Sequence, residues 1–167
     1  MKMLEFAPRK PPRDLRVVIA MEVVEQMAAT ANDPDSETGG VLIGRYIENG
    51  AVALVELASS PPGDSSAGLD WFERGKKGLG ELLREQWNLP QRRYYVGEWH
   101  FHPIGRAEAS PQDRRQMAEI AQDPNYHCER PLLVIASPAT LRRGTARVFV
   151  TSPQHELQEF QQEVPGP

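Results

Sequence analysis

At 167 residues the chain is long enough for one domain with a real core and too short for two comfortable ones. A net charge of −4 argues against a polyanion-binding protein despite the local pairs Arg92-Arg93 and Arg114-Arg115, and the single cysteine, Cys128, excludes an internal disulfide or a cysteine-rich metal knuckle. No run approaches the ~18 apolar residues of a membrane span, and the start lacks the continuous apolar stretch of a secretory signal, so a cytoplasmic protein with no nucleic-acid and no membrane partner is expected.

Residues 1–14, rich in proline and charge, read as a flexible N-terminal arm. Arg16 to Ala20 reads as a short strand, followed by a helix in which Met21, Val24, Met27 and Ala28 recur at helical spacing and which Asn32, Asp33 and Pro34 end. These methionines read as core packing. In SETGGVLIGRY, Gly39, Gly40 and Gly44 bracket the apolar run VLI, so a loop carrying Glu37 leads into a buried strand whose glycines allow another backbone to come close. The Gly-Gly pair belongs to no phosphate-binding loop, since neither GxxxxGK[ST] nor GxGxxG occurs. Glu48-Asn49-Gly50 is a hairpin signal, and AVALVELAS continues as the partner strand.

SSPPGDSSAGLD is a loop, long enough to be functional, and its residues 60–70 are expected to border a cleft. Trp71 to Asn88 predicts an amphipathic helix through Leu79, Leu82, Leu83 and Trp87, with Gly75, Gly78 and Gly80 weakening its front half. YYVGEWHFH is rich in aromatic and β-favouring residues and is halted by Pro103, which predicts a strand. Strand period is two, so His100 and His102 face one side and Phe101 the other. Ser-Pro-Gln-Asp then has the form of a helix start: Ser110 as N-cap, Pro111 at the first helical position, Asp113 in the first turn. The helix runs to Gln122 with Met117, Ile120 and Ala121 inward; Pro131 to Ser137 and Thr145 to Val150 follow as strands, and Cys128 sits just ahead of the first as a core residue. Residues 153–167 read as a polar C-terminal tail, a short helix or frayed. No internal repeat and no domain boundary is visible.

Two neutral imidazoles and one carboxylate, with a fourth position left to water, form a ligand set used by catalytic zinc. On its own an HxH pair on a strand is most often two ordinary polar side chains, and SPxD is most often a helix cap. Their joint spacing, with a glutamate upstream, closely resembles the signature of the JAMM metallopeptidases, also called the MPN-domain family: a glutamate, then HxHPx(6)SxxD. The resemblance covers nearly the whole chain and implies an α/β fold, a single JAMM/MPN-like domain over residues 15–152 built on a curved mixed β-sheet flanked by helices. It implies Zn2+ held by His100, His102 and Asp113, Glu37 as general base and Ser110 as a partner for the oxyanion. Two departures stand out: Phe101, where the family usually has Ser or Thr, and Ala107 to Ala109, where it often carries prolines.

The run GEWHFHP in a small chain is similar to bacterial JAMM isopeptidases that accompany ubiquitin-transfer-like enzymes, including those of anti-phage operons. The implied activity is that of a deubiquitinase-like isopeptidase acting after the C-terminal glycine of a ubiquitin-like protein or of a conjugate made through it. Ubiquitin-transfer-like enzymes of the same operon are the implied further partners. Two alternatives remain: a processing peptidase for precursor or sulfur-carrier-like tails, and a non-catalytic MPN scaffold, which the presence of every ligand disfavours.

Overall fold

The computed structural model describes residues 1–164. The first half of the chain comprises strands β1 (Met3–Ala7) and β2 (Arg16–Ala20), helix α1 (Met21–Thr30), strands β3 (Thr38–Ile47) and β4 (Val52–Ala58), and the two-residue strands β5 (Ser66–Ala67) and β6 (Phe72–Glu73). Helix α2 (Leu79–Trp87) leads to β7 (Tyr94–Phe101), α3 (Pro111–Gln122), β8 (Leu132–Ala136), the short α4 (Pro138–Arg142), β9 (Arg147–Thr151) and β10 (Leu157–Gln162). Eight strands pair in the cyclic order β1-β10-β9-β8-β7-β3-β4-β2, and β5 pairs with β6 apart from them. The pairings β2–β4 and β7–β8 are parallel, and the others in the ring are antiparallel.

The expected curved mixed sheet with helices is therefore present, and its curve goes further than expected, closing into a barrel. Closure is made by the two segments read as loose ends. Met3–Ala7, assigned above to a flexible arm, pairs with β2 on one side and β10 on the other, and Leu157–Gln162, assigned to a polar tail, pairs with β9 and β1. Leu4 and Phe6 alternate into the core, and Phe160 does the same from β10, while the residues between them meet water. Joining these strands leaves no open edge in the ring. Residues 165–167 of the expected tail lie outside the described residues.

Two apolar layers follow from strand alternation. One holds Ile19, Leu42, Val55, Trp99, Phe101, Val134 and Val148, joined by Val23, Val24 and Met27 of α1. Ala28, expected inward, is exposed, and Val23 takes its place. The other layer holds Val41, Ile43, Tyr95, Leu133, Ile135 and Phe149, covered by Met117 and Ile120 of α3 and by partly buried Leu79, Leu82 and Leu83 of α2. The predicted helix over Trp71 to Asn88 is shorter than expected. Gly78, at φ 81°, is its N-cap, and the residues before it turn back to form β6. A left-handed residue at that point suits glycine and ends any helix arriving from upstream.

One irregularity decides which layer the histidines join. Along the β3–β7 pairing Leu42 faces Gly97 while Ile43 faces Tyr95, so Val96 is an extra residue, a bulge. Tyr95 lies in the outer layer and alternation alone would send His100 inward. The extra residue reverses the parity: Trp99 and Phe101 enter the inner layer, and Glu98 and His100 share the outer face with Tyr95.

Because Phe6 is 2% exposed within β1, Phe6→Ala is expected to lower the unfolding free energy by about 3–5 kcal/mol in urea denaturation. A loss below about 1 kcal/mol would return Met3–Ala7 to the status of an arm.

Candidate active site

β7 runs between β3 and β8, with His100 opposite Gly39 on one neighbour and Ile135 on the other. His102 lies one residue past the strand, its backbone N–H donating to the Ala136 carbonyl at 2.9 Å. The parallel step from β7 to β8 is made by α3, which returns across the outer layer and sets its N-terminus beside the histidines. That terminus is a capping box: the Asp113 N–H donates to Ser110 Oγ at 3.0 Å and the Ser110 N–H donates to Asp113 Oδ2 at 2.8 Å. Asp113 Oδ1 meets His100 Nδ1 at 2.9 Å, and Oδ2 lies 3.6 Å from His102 Nε2.

Glu37 precedes β3, with its backbone N–H held by the Gly68 carbonyl at 2.8 Å and its Oε1 3.8 Å from His102 Nε2. Burial pushes its carboxyl up to about 7; His100 opposes this, while Asp113 and Asp70 add to it. Burial lowers His102, keeping it neutral. Burial alone would raise Asp113, but the hydrogen bond and charge of His100 and the Ser110 N–H bring it below the usual carboxylate range.

Among the described residues His100, His102 and Asp113 form a buried cluster whose donor atoms all lie within 4.8 Å of one another. Metal–ligand bonds of about 2.0–2.2 Å in a tetrahedron place ligand atoms roughly 3.3 Å apart, close to the 3.6 Å between Asp113 Oδ2 and His102 Nε2. His100 Nε2 is buried without a hydrogen-bond partner, so the protein alone does not satisfy this imidazole. Spacing, burial and donor type together fit a divalent metal ion.

All five residues singled out in the sequence thus converge: Glu37, His100, His102 and Asp113 through their side chains, and Ser110 as the cap that orients Asp113. A cleft of about 410 Å³ beside Glu37 is lined by Pro61, Pro62, Ser66, Ala67 and Phe72 of the loop region, and none of His100, His102, Ser110 or Asp113 lines it. Cys128 lies in the outer core, where burial pushes its thiol up to about 11. Three residues escaped the sequence reading. Phe72 packs edge-on against His100 at 5.6 Å, and Arg74 pairs with the fully buried Glu98 at 2.8 Å. Phe72 and Arg74 were hidden inside the predicted helix, whereas a glutamate in the middle of an aromatic strand was a visible signal. Gly39 makes the first contact possible, because a Cβ there would meet the Trp99 carbonyl, the His100 ring and the Phe72 ring.

The family described as prokaryotic homologs of the JAB domain matches residues 21–150. A protein of Enterobacter hormaechei subsp. hoffmannii named CD-NTase/cGAS isopeptidase is 42% identical over 120 residues, which cover 71% of this chain and 66% of that protein, just under two thirds of its length. A solution structure of a Desulfitobacterium hafniense protein superposes with a TM-score of 0.56 over 84% of this chain and 87% of that one, at 21% identity, a likeness of fold.

Each of the three donors is essential to a set this small, so His102→Ala and Asp113→Ala are expected to lose the metal on dialysis, while Cys128→Ala retains it; metal analysis of the dialysed proteins reads the outcome. Metal-free protein carries a second signature. The folded state holds the Glu37 proton more tightly than the unfolded chain, so this group's stabilisation is present below about 4.5 and is lost as pH rises through about 7. Denaturation of the metal-free parent across that window should show a loss that Glu37→Gln lacks.

Proposed function

Because the chain belongs to the prokaryotic JAB-domain family, a JAMM/MPN-like group, we propose that it is a zinc-dependent isopeptidase that cleaves after the C-terminal glycine of a ubiquitin-like protein joined to an amine. The observation that carries the reading is the meeting of two imidazoles, one ionised carboxylate and a second carboxyl poised near neutrality in one partly enclosed site. The Enterobacter relative's name suggests a CD-NTase/cGAS-type enzyme as the conjugated partner, and the ubiquitin-transfer-like enzymes that would make such a conjugate as further partners. No helix among the described residues is long and apolar enough to cross a membrane. A cytoplasmic site of action is part of the proposal.

His100, His102 and Asp113 would hold the zinc ion, which when bound would supply Lewis acidity towards water and a carbonyl oxygen. The chain's own groups do the rest. Glu37, near neutrality, accepts the proton of the attacking water and passes it to the leaving amine, a task that needs a group able both to take and to give. Ser110 Oγ accepts from the Asp113 N–H, which leaves its hydroxyl proton free to donate to the carbonyl oxygen as it becomes anionic. A tail ending in glycine suits the reaction, since a residue without a Cβ lets its carbonyl come close to Glu37 and the buried cluster. A peptidase trimming precursor tails would use the same groups, and the choice of amine separates the two.

The direct test incubates the zinc-loaded protein with fusions and lysine conjugates of ubiquitin-like proteins encoded by neighbouring genes and maps the cut. Cleavage of linear fusions with conjugates left intact would favour the processing peptidase, and no cleavage of either would favour the scaffold. Glu37→Gln is expected to keep its zinc and lose about 10²- to 10⁴-fold in turnover. Ser110→Ala is expected to cost about 1 kcal/mol of stability as a lost cap. Its turnover should fall about 10²-fold at unchanged zinc content, and unimpaired turnover would reduce Ser110 to a cap.

A further inference from the structure

Glu98 is a fully buried carboxylate in the middle of β7, two residues before His100 on the same face, and the proposed reaction does not use it. A charge so placed persists only where a partner and hydrogen bonds compensate it. Arg74 supplies both. Its Nε donates to Glu98 Oε1 and Oε2 at 3.0 and 2.9 Å, its Nη2 donates to Oε1 at 2.8 Å, and the Tyr95 hydroxyl adds a bond to Oε1 at 3.2 Å. Two more of the guanidinium's N–H groups donate to the Tyr126 hydroxyl at 3.0 Å and the Gly75 carbonyl at 2.8 Å.

The pair joins two parts of the molecule that the ring of strands does not otherwise hold together. Arg74 follows β6 in the excursion between β4 and α2, whose strands lie outside the barrel. That excursion is tied to itself: the Asp64 carboxylate accepts from the backbone N–H groups of Lys76 and Lys77, Ser65 Oγ accepts from the Gly75 N–H, and the Gly68 N–H donates to the Trp71 carbonyl. It touches the site twice, through the Gly68 carbonyl on the Glu37 N–H and through the Phe72 ring on His100.

The geometry points to the Arg74–Glu98 pair as a positioning device: by pinning the excursion to β7 beside His100, it sets Phe72 against that ligand and Gly68 against Glu37, and so fixes base and ligand relative to each other. This rests on the roles given above to Glu37 and His100. A buried ion pair adds little stability over apolar residues of the same volume, whereas a bidentate fork fixes one element against another in distance and in angle. Apolar contacts at the same place would hold the excursion down but let it slide.

The test compares the zinc-loaded parent with Arg74→Met/Glu98→Leu, which replaces the pair by apolar groups, and with Arg74→Lys, which keeps the charge and loses the fork. NMR of the His100 ring protons, which feel the Phe72 ring, is read beside melting temperature, zinc content, kcat and KM. The double variant is expected to fold and hold zinc as the parent does, with the His100 resonances moved and kcat lower by about 10- to 100-fold at a smaller change in KM. Arg74→Lys should move both in the same direction by less, and it decides the matter alone if the double variant does not fold. Unmoved His100 resonances, or moved ones with kcat within about twofold of the parent, overturn the proposal. If the parent cleaves no ubiquitin-like fusion or conjugate, the proposed function fails, and the His100 resonances alone decide the positioning role.

Discussion

The carboxylate of Asp113 is where the local and the long-range parts of the site meet. One oxygen closes a capping box with Ser110, an interaction across three residues, and the other meets His100, which lies on a different element. A capped first turn is stiff, so wherever α3 docks, this carboxylate goes with it. Docking is fixed by Met117 and Ile120 against the outer layer of the barrel. The site's geometry is thus the product of a helix cap and a helix-on-sheet contact, and losing either would separate the carboxylate from the imidazoles.

The parts of this arrangement that were legible in the sequence are those encoded by neighbours along the chain. The period-two spacing of His100 and His102, the stop at Pro103, and Ser110-Pro111 opening a helix with Asp113 in its first turn all act within a few residues, and each is found where the spacing put it. Glu37 differs. Nothing local marked it, and only resemblance to a family singled it out before its backbone was seen held by Gly68 and its side chain set near His102. The bulge at Val96 is likewise silent in sequence. The same-side placement of the histidines was expected from alternation, but which side they share depends on that one extra residue.

What escaped was non-local. Leu157–Gln162 carries too few apolar residues to announce a strand, and the apolar Met3–Ala7 is short and runs straight into a stretch of proline and charge; both gain their hydrogen bonds from partners far away in sequence. The segment before α2 misled for the opposite reason. Its leucines do recur at helical spacing, but only from Leu79 onward, and Phe72 and Arg74 upstream answer to His100 and Glu98 rather than to the helix.

Burial acts on Glu37, His102 and Asp113 alike, and the outcome for each depends on what else touches it. For His102 desolvation outweighs the opposing Asp113 charge and favours the neutral form, the one in which an imidazole ligates a metal. Asp113 is equally enclosed, but the hydrogen bond and charge of His100, with the Ser110 N–H beside them, reverse the effect and hold it ionised, the form in which a carboxylate ligates. Glu37 receives no such bond to its carboxylate, so burial prevails and leaves it near neutrality. One enclosed environment therefore yields two groups already in their metal-binding states at neutral pH and a third suited to exchanging protons. The difference between the proposed ligand and the proposed base comes from the hydrogen bond and charge of His100, joined by the Ser110 N–H of the helix cap, which meet the Asp113 carboxylate.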